Sequence, residues 1–276
     1  MDKQEVIHMI QHANKMKSPI RRYPNQIVVQ YGDTTSTSLI GFKAASMKLG
    51  CQTLSVDIKS DALEDGVLML QNYGDVMVLR NPNEDAISRA IAVSRIPIIQ
   101  GGIHSNLSQA LTDIYTLYKE LVFRGIELDS DERKPLHITF LGYSRTIQPF
   151  VKLLELFPNI QYHYTQTQKD IPLDTDVLYV SRIQEGESYH IDRAFLQTTK
   201  PTLILMHPFP RSEELSRDSD RNPRSVYLNQ LENGLYMKMA MLDKVLAPTC
   251  HPTAGEYIRM AWNSFTHWIS HFQFSR

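Results

Sequence analysis

Cysteine is nearly missing from this chain: Cys51 and Cys250 are the two in 276 residues. They are too few and too far apart for a disulfide framework or a cysteine-built metal cluster. A reducing, cytoplasmic setting is therefore expected. Long apolar runs are missing too, and none approaches the roughly 20 residues that span a bilayer. The opening "MDKQEVIHMIQHANKMK" is charged and lacks the apolar centre of a secretory signal. Nor is there a surplus of either charge: 29 basic against 30 acidic residues leave a net −1, which argues against nucleic acid as a partner. No G-x-G-x-x-G or P-loop follows the first apolar run, and no internal repeat or low-complexity tract is present. What remains is a globular composition, 42% hydrophobic and 21% charged, long enough for one large domain or two small ones.

Short apolar runs then alternate with helix-period segments. "QIVVQY" (26–31), "TLSV" (53–56), "VMVL" (76–79) and "IPII" (96–99) read as buried strands, with helices at 38–49, 62–72 and 84–94. Val6, Met9, Ile10 and Ala13 mark a surface helix ahead of them. A long helix at 105–123, capped by Ser105, precedes the charged boundary "RGIELDSDERKP". A second series follows, with strands at 137–142, 160–164, 177–181 and 202–206 and helices at 146–156 and 192–199. The helix at 233–246 is expected to cross back to the first half. A further amphipathic helix, 254–272, carries Trp262 and Trp268 and no motif with a chemical role. The predicted fold class is α/β: two doubly wound parallel-sheet domains with a cleft between them. Residues 1–123 plus 233–276 form one domain and 124–232 the other.

Open parallel sheets bind ligands at the carboxyl ends of their strands. There the chain places Arg80, Gln100, His104, Asn106, Arg145, Arg182, Gln184 and His207. Any one arginine reads as a solvated surface charge, and His207 as a packed core histidine. Three arginines drawn from both halves instead imply a small, multiply anionic substrate, because the guanidinium fork matches carboxylate and phosphate. "TTSTS" (34–38) crowds hydroxyls at a helix start, whose free N–H groups and partial positive charge suit an anion. The nearest charge, Asp33, has the wrong sign. An anion site without its cation and an over-capped helix both fit.

The segment "MHPFPRSEELSRDSDRNPRSVYLNQLENGLYMKMAMLDKVL" (206–246) resembles the C-terminal signature of aspartate carbamoyltransferases, with a Phe where the family's His-Pro-Leu-Pro-Arg turn has Leu. The similarity extends back to about residue 20. It implies aspartate binding by Arg145 and Thr146 of "YSRT", by Arg182 and Gln184 of "SRIQ", and by the backbone of Pro208 and Phe209. It also implies that Arg80 contacts the carbamoyl donor and that Gln109 holds its amide. The donor half departs from the family. The Ser-Thr-Arg-Thr-Arg phosphate loop is here Thr34-Thr35-Ser36-Thr37-Ser38, and Asn106 of "NLSQ" replaces a carbonyl-polarising histidine. Losing one such preorganised group typically costs roughly 100- to 1000-fold in rate. Lys59 stands near the place of a lysine that a neighbouring subunit lends, so the resemblance implies a homotrimer. It implies no cofactor and no metal.

Two functions fit. One is a transferase in which the α-amine of aspartate, or a close analogue, attacks a carbamoyl or acyl donor: carbamoyl phosphate used poorly, or something less anionic. The other is an inactive homologue that binds an amino acid or partners an active carbamoyltransferase. Ornithine-type relatives fit less well, because Arg182 suits an anionic side chain.

Overall fold

The computed structural model describes residues 1–18, 23–57, 62–102, 106–132, 134–142, 147–184 and 186–247. Among the sequence expectations, Lys59, His104, Ser105, Arg145, Thr146, Cys250 and the helix at 254–272 lie outside the described residues. The chain divides into two compact units, Met1–Ser108 with the described residues from Leu235 onward, and Gln109–Gly234.

The first unit runs α1 (Lys3–Lys15), β1 (Ile27–Tyr31), α2 (Thr37–Leu49), β2 (Gln52–Val56), α3 (Leu63–Leu70), β3 (Val76–Leu79), α4 (Ala86–Val93) and β4 (Ile98–Gln100). Its strands form a parallel sheet in the order β2-β1-β3-β4. Side chains alternate between the faces of a strand, and both faces are covered. Val29, Tyr31, Met77 and Leu79 pack with Leu63, Val67 and Leu70 of α3 and Ala86 and Ala90 of α4. On the other face, buried Gln30 donates from Nε2 to Leu39 O of α2 at 2.7 Å. That two-sided cover is why β3 reads as an unbroken apolar run and β1 as one interrupted at Gln30. β2, expected as a buried strand, is half-exposed because it lies at the sheet's edge. α1 opens with a capping box between Asp2 and Glu5 and buries Val6, Met9, Ile10 and Ala13.

The second unit contains β5 (Leu136–Leu141), α6 (Gln148–Leu154), β6 (Ile160–Thr165), β7 (Val177–Val180), α7 (Arg193–Gln197) and β8 (Ile204–Met206). These strands are again parallel, in the order β6-β5-β7-β8. Leu141, Leu178, Val180 and Leu205 pack with Leu196 of α7 on one face. On the other, Phe150 of α6 meets the rings of Phe140 at 6.0 Å and Tyr179 at 5.5 Å.

Two long helices pass the boundary between the units in sequence: α5 (Leu107–Phe123) and α8 (Tyr227–Leu246). From Gln109 onward α5 groups with the second unit, where the sequence reading had put it with the first. Its polar side chains explain the grouping: Asp113 accepts from Tyr179 Oη on β7, and Thr116 Oγ1 accepts from Asn233 Nδ2 on α8. α8 begins at Tyr227 instead of 233, with Gly234 inside it. Glycine in a helix interior costs about 1 kcal/mol. The contacts of Gln230 and Asn233 with α5 override that local preference. Among the described residues, no helix is long and apolar enough to cross a membrane.

Candidate functional site

In the first unit the polar residues gather where β1, β2 and β3 end. α2 starts at Thr37, with Ser36 as its N-cap accepting from Leu39 N at 3.3 Å. Thr37 and Ser38 thus lie inside the first turn. Thr34 donates through both N (3.0 Å) and Oγ1 (2.8 Å) to Asp57 Oδ1, at the end of β2. Thr35 donates through N (3.0 Å) and Oγ1 (2.6 Å) to Asp33 Oδ1. The loop leading into α2 thus holds two carboxylates of the chain itself, on the amides and hydroxyls of Thr34 and Thr35.

Arg80 follows β3, and its Nε is buried without a hydrogen-bond partner. Burial draws its guanidinium below the usual arginine range, while nearby Asp33 pulls the other way. Two glycines shape the space around it. Gly32 has φ +145°, and a Cβ there would sit 2.3 Å from Arg80 O; at Gly102, φ +104°, a Cβ would sit 2.8 Å from Arg80 Nη1. Larger residues would push Arg80 out of its slot. Asn106 accepts from Ser108 Oγ at 2.9 Å.

In the second unit the candidates gather at the carboxyl ends of β7 and β8. Arg182 and Gln184 follow β7 and are exposed. Gln184 Nε2 donates to Arg182 O at 3.0 Å, and Gln184 N donates to Glu187 Oε2 at 2.9 Å. The turn after β8 is built on His207, which is fully buried, as the core reading had it. Phe209 N donates to His207 Nδ1 at 3.0 Å, so His207 Nε2 carries the proton it shares with Glu214 Oε1 at 2.9 Å. Burial pushes His207 down to about 4, outweighing Glu214; Arg182 and Arg211 push the same way as burial. Burial raises Glu214, but hydrogen bonds from Ser212 and His207 outweigh it and leave the carboxyl below its usual range. The Phe209 ring lies 5.4 Å from His207 and 5.6 Å from Tyr227, with the Arg211 guanidinium 5.5 Å away. The Phe209–Pro210 bond is cis.

Gln109, in the first turns of α5, donates from Nε2 to Asp113 Oδ1 at 2.7 Å. Asp113 is 1% exposed and also accepts from Gln230 Nε2 at 2.5 Å and Tyr179 Oη at 2.9 Å. Ser181, beside Arg182, is buried with no partner for its hydroxyl. Sequence reasoning missed Asp57, Asp113, Glu214 and Gln230. Asp113 stands four residues after Gln109 on one helix face, a legible spacing; the pairing of Asp57 with Thr34 had no local signal.

Two parallel α/β units, each with polar groups clustered at its strand ends, define a two-domain protein built for small polar ligands. Comparison with known proteins narrows the class. Residues 1–119 match the carbamoyl-P binding domain of aspartate/ornithine carbamoyltransferases, and residues 150–245 match their Asp/Orn binding domain. The catalytic subunit of aspartate carbamoyltransferase from Methanocaldococcus jannaschii is 29% identical over an alignment 301 positions long, covering 88% of this chain and 94% of that one. The solved catalytic subunit from M. jannaschii superimposes with a TM-score of 0.78 at 27% identity, covering 89% of this chain and 95% of that one. Aspartate transcarbamoylase from Trypanosoma cruzi, solved with carbamoyl aspartate and phosphate, gives 0.78 at 26% identity, covering 90% and 93%. The chain belongs to the aspartate/ornithine carbamoyltransferase superfamily.

Proposed function

We propose that this chain transfers a carbamoyl or related acyl group to the α-amine of aspartate, or a close analogue, from a donor whose leaving group is less anionic than phosphate. The amine nitrogen attacks the donor carbonyl. The new C–N bond forms, the bond to the leaving group breaks, and the amine proton departs with the leaving group or to solvent. Such chemistry needs positioning and electrostatic stabilisation and no covalent nucleophile. In this reading Arg145 and Thr146 take one carboxylate, Arg182 and Gln184 the other, and Pro208 and Phe209 line the substrates. Arg80, Asn106 and Gln109 face the donor, and Lys59 reaches a neighbouring subunit's site in a homotrimer.

The observation that carries the donor assignment is the pairing of Thr34 with Asp57 and of Thr35 with Asp33. A phosphoryl group at this helix start would compete with two carboxylates for the same donors and meet their charge. Incubation with aspartate and either carbamoyl phosphate or a panel of uncharged carbamoyl and acyl donors, with chromatography of the products, tests this. The expected result is acylated aspartate from an uncharged donor and none from carbamoyl phosphate at high enzyme concentration. Ordinary turnover of carbamoyl phosphate rejects the donor assignment.

The engagement of Asn106 by Ser108, where the relatives' pattern has a carbonyl-polarising histidine, favours the second reading, an inactive homologue. It predicts aspartate binding by calorimetry with no product across the panel. Light scattering reports the assembly, with a trimer expected.

A further inference from the structure

Gln109 can present either end of its carboxamide to a ligand, and a buried neighbour decides which. We infer that Asp113 is a positioning residue: it turns the Gln109 oxygen outward as an acceptor for the N–H of a carbamoyl group, and braces the His207–Phe209 turn through Gln230. The inference rests on the transferase reading above and adds what holds its carbamoyl-binding group in place.

An ionised carboxylate only accepts hydrogen bonds. Asp113 therefore fixes three donors: Gln109 Nε2 (2.7 Å), Gln230 Nε2 (2.5 Å) and Tyr179 Oη (2.9 Å). With Nε2 committed inward, the Gln109 carbonyl oxygen points away from the carboxylate. Gln230 is turned in the same manner, and its Oε1 accepts from His207 N at 3.1 Å. His207 Nδ1 in turn accepts from Phe209 N at 3.0 Å. One buried carboxylate thus sets which end of the Gln109 and Gln230 carboxamides faces inward, and Gln230 carries that choice to the backbone of the turn after β8.

Gln109 also lies at the correct end of the sheet. Asp113 meets Tyr179 near the carboxyl end of β7, while Arg124, just past the far end of α5, bonds to Thr202 O ahead of β8. α5 consequently runs antiparallel to the strands, which places Gln109 one turn beyond Tyr179 toward their carboxyl ends.

Calorimetry with aspartate and with N-carbamoyl-L-aspartate, on the wild type, Asp113→Asn and Tyr179→Phe, tests the role. Asp113→Asn should weaken N-carbamoyl-L-aspartate by about tenfold more than aspartate, the loss expected for one misdirected hydrogen bond. Tyr179→Phe, which leaves the Gln109 and Gln230 contacts standing, should not change the ratio of the two affinities. A merely structural role weakens both ligands equally in Asp113→Asn, and that result, or no change in either, overturns the inference. Should Asp113→Asn not fold, NMR exchange of the side-chain amide protons decides on the wild type. Gln109 should exchange far more slowly than exposed Gln184, and equal rates overturn the lock. A wild type that binds neither ligand overturns the transferase reading itself, and this inference with it.

Discussion

Asp33 and Asp57 each accept from both the amide and the hydroxyl of a threonine, so removing them uncovers donors already aimed at an anion. The double variant Asp33→Ala, Asp57→Ala should bind inorganic phosphate at least about tenfold more tightly than the wild type, the size of one charge-assisted hydrogen bond. Phosphorus NMR titration measures it. Ser181 presents the opposite case, a buried hydroxyl without a partner. Ser181→Ala should leave the protein as stable or raise its unfolding free energy by about 1 kcal/mol, read from urea denaturation. His207 governs the acid limb of stability. In the unfolded chain its ring protonates near the ordinary value of about 6.5; in the fold burial holds it at about 4. The unfolded chain therefore binds more protons between these values. The contribution is complete above about pH 6.5 and is lost as pH falls toward 4, amounting to about 3 kcal/mol. The urea midpoint should drop across that window, and His207→Gln should flatten the slope. At this scale the sequence named Gln109 and Thr34 but not Asp113 and Asp57, the carboxylates that hold them. Asp57 lies far from Thr34 along the chain, and only the parallel pairing of β1 with β2 brings their ends together.

The elements were easier to read than the residues between them. Each expected strand is present at nearly its expected place. In β1, β3 and β7 burial on both faces leaves an apolar run that a surface element does not need. β2 is half-exposed and β6 largely exposed, and both were legible from β-branched and aromatic residues instead. Ends moved where a cap or a partner outweighed propensity: Ser36 captures Leu39 N and starts α2 at Thr37, and contacts with α5 extend α8 back to Tyr227. α8 also anchors α1 within the first unit. Asp243 of α8, 2% exposed, accepts from Tyr23 Oη at 2.9 Å and pairs with His12 Nε2 at 2.6 Å. Asp243→Ala should cost about 3 kcal/mol, since it leaves two polar groups without their acceptor. Hydrogen exchange should show the loss as faster opening of α1, with the β5–β8 sheet unaffected.

On the scale of the whole molecule the two units differ in how the chain completes them. The second is one continuous stretch, Gln109–Gly234, while the first needs residues from Leu235 onward. A fragment of residues 109–234 keeps the Asp113, Tyr179, Gln230 and Asn233 contacts and should unfold cooperatively on heating. Residues 1–108 alone lack Asp243, and Lys238, whose Nζ lies 5.8 Å from the Phe42 ring, and should show no cooperative transition. Circular dichroism melts of both fragments check this. The sequence by itself determined the α/β class, the parallel sheets and the family, because each depends on local periodicity or on a signature such as "HPFPR" that survives in one dimension. The tertiary structure alone decided that α5 belongs with the second sheet, that Asp113 orients Gln109, and that Thr34 and Thr35 of the TTSTS run are held by the chain's own carboxylates. Those facts depend on side chains meeting across distant segments, and hydrogen bonds have directions that spacing along a chain does not encode.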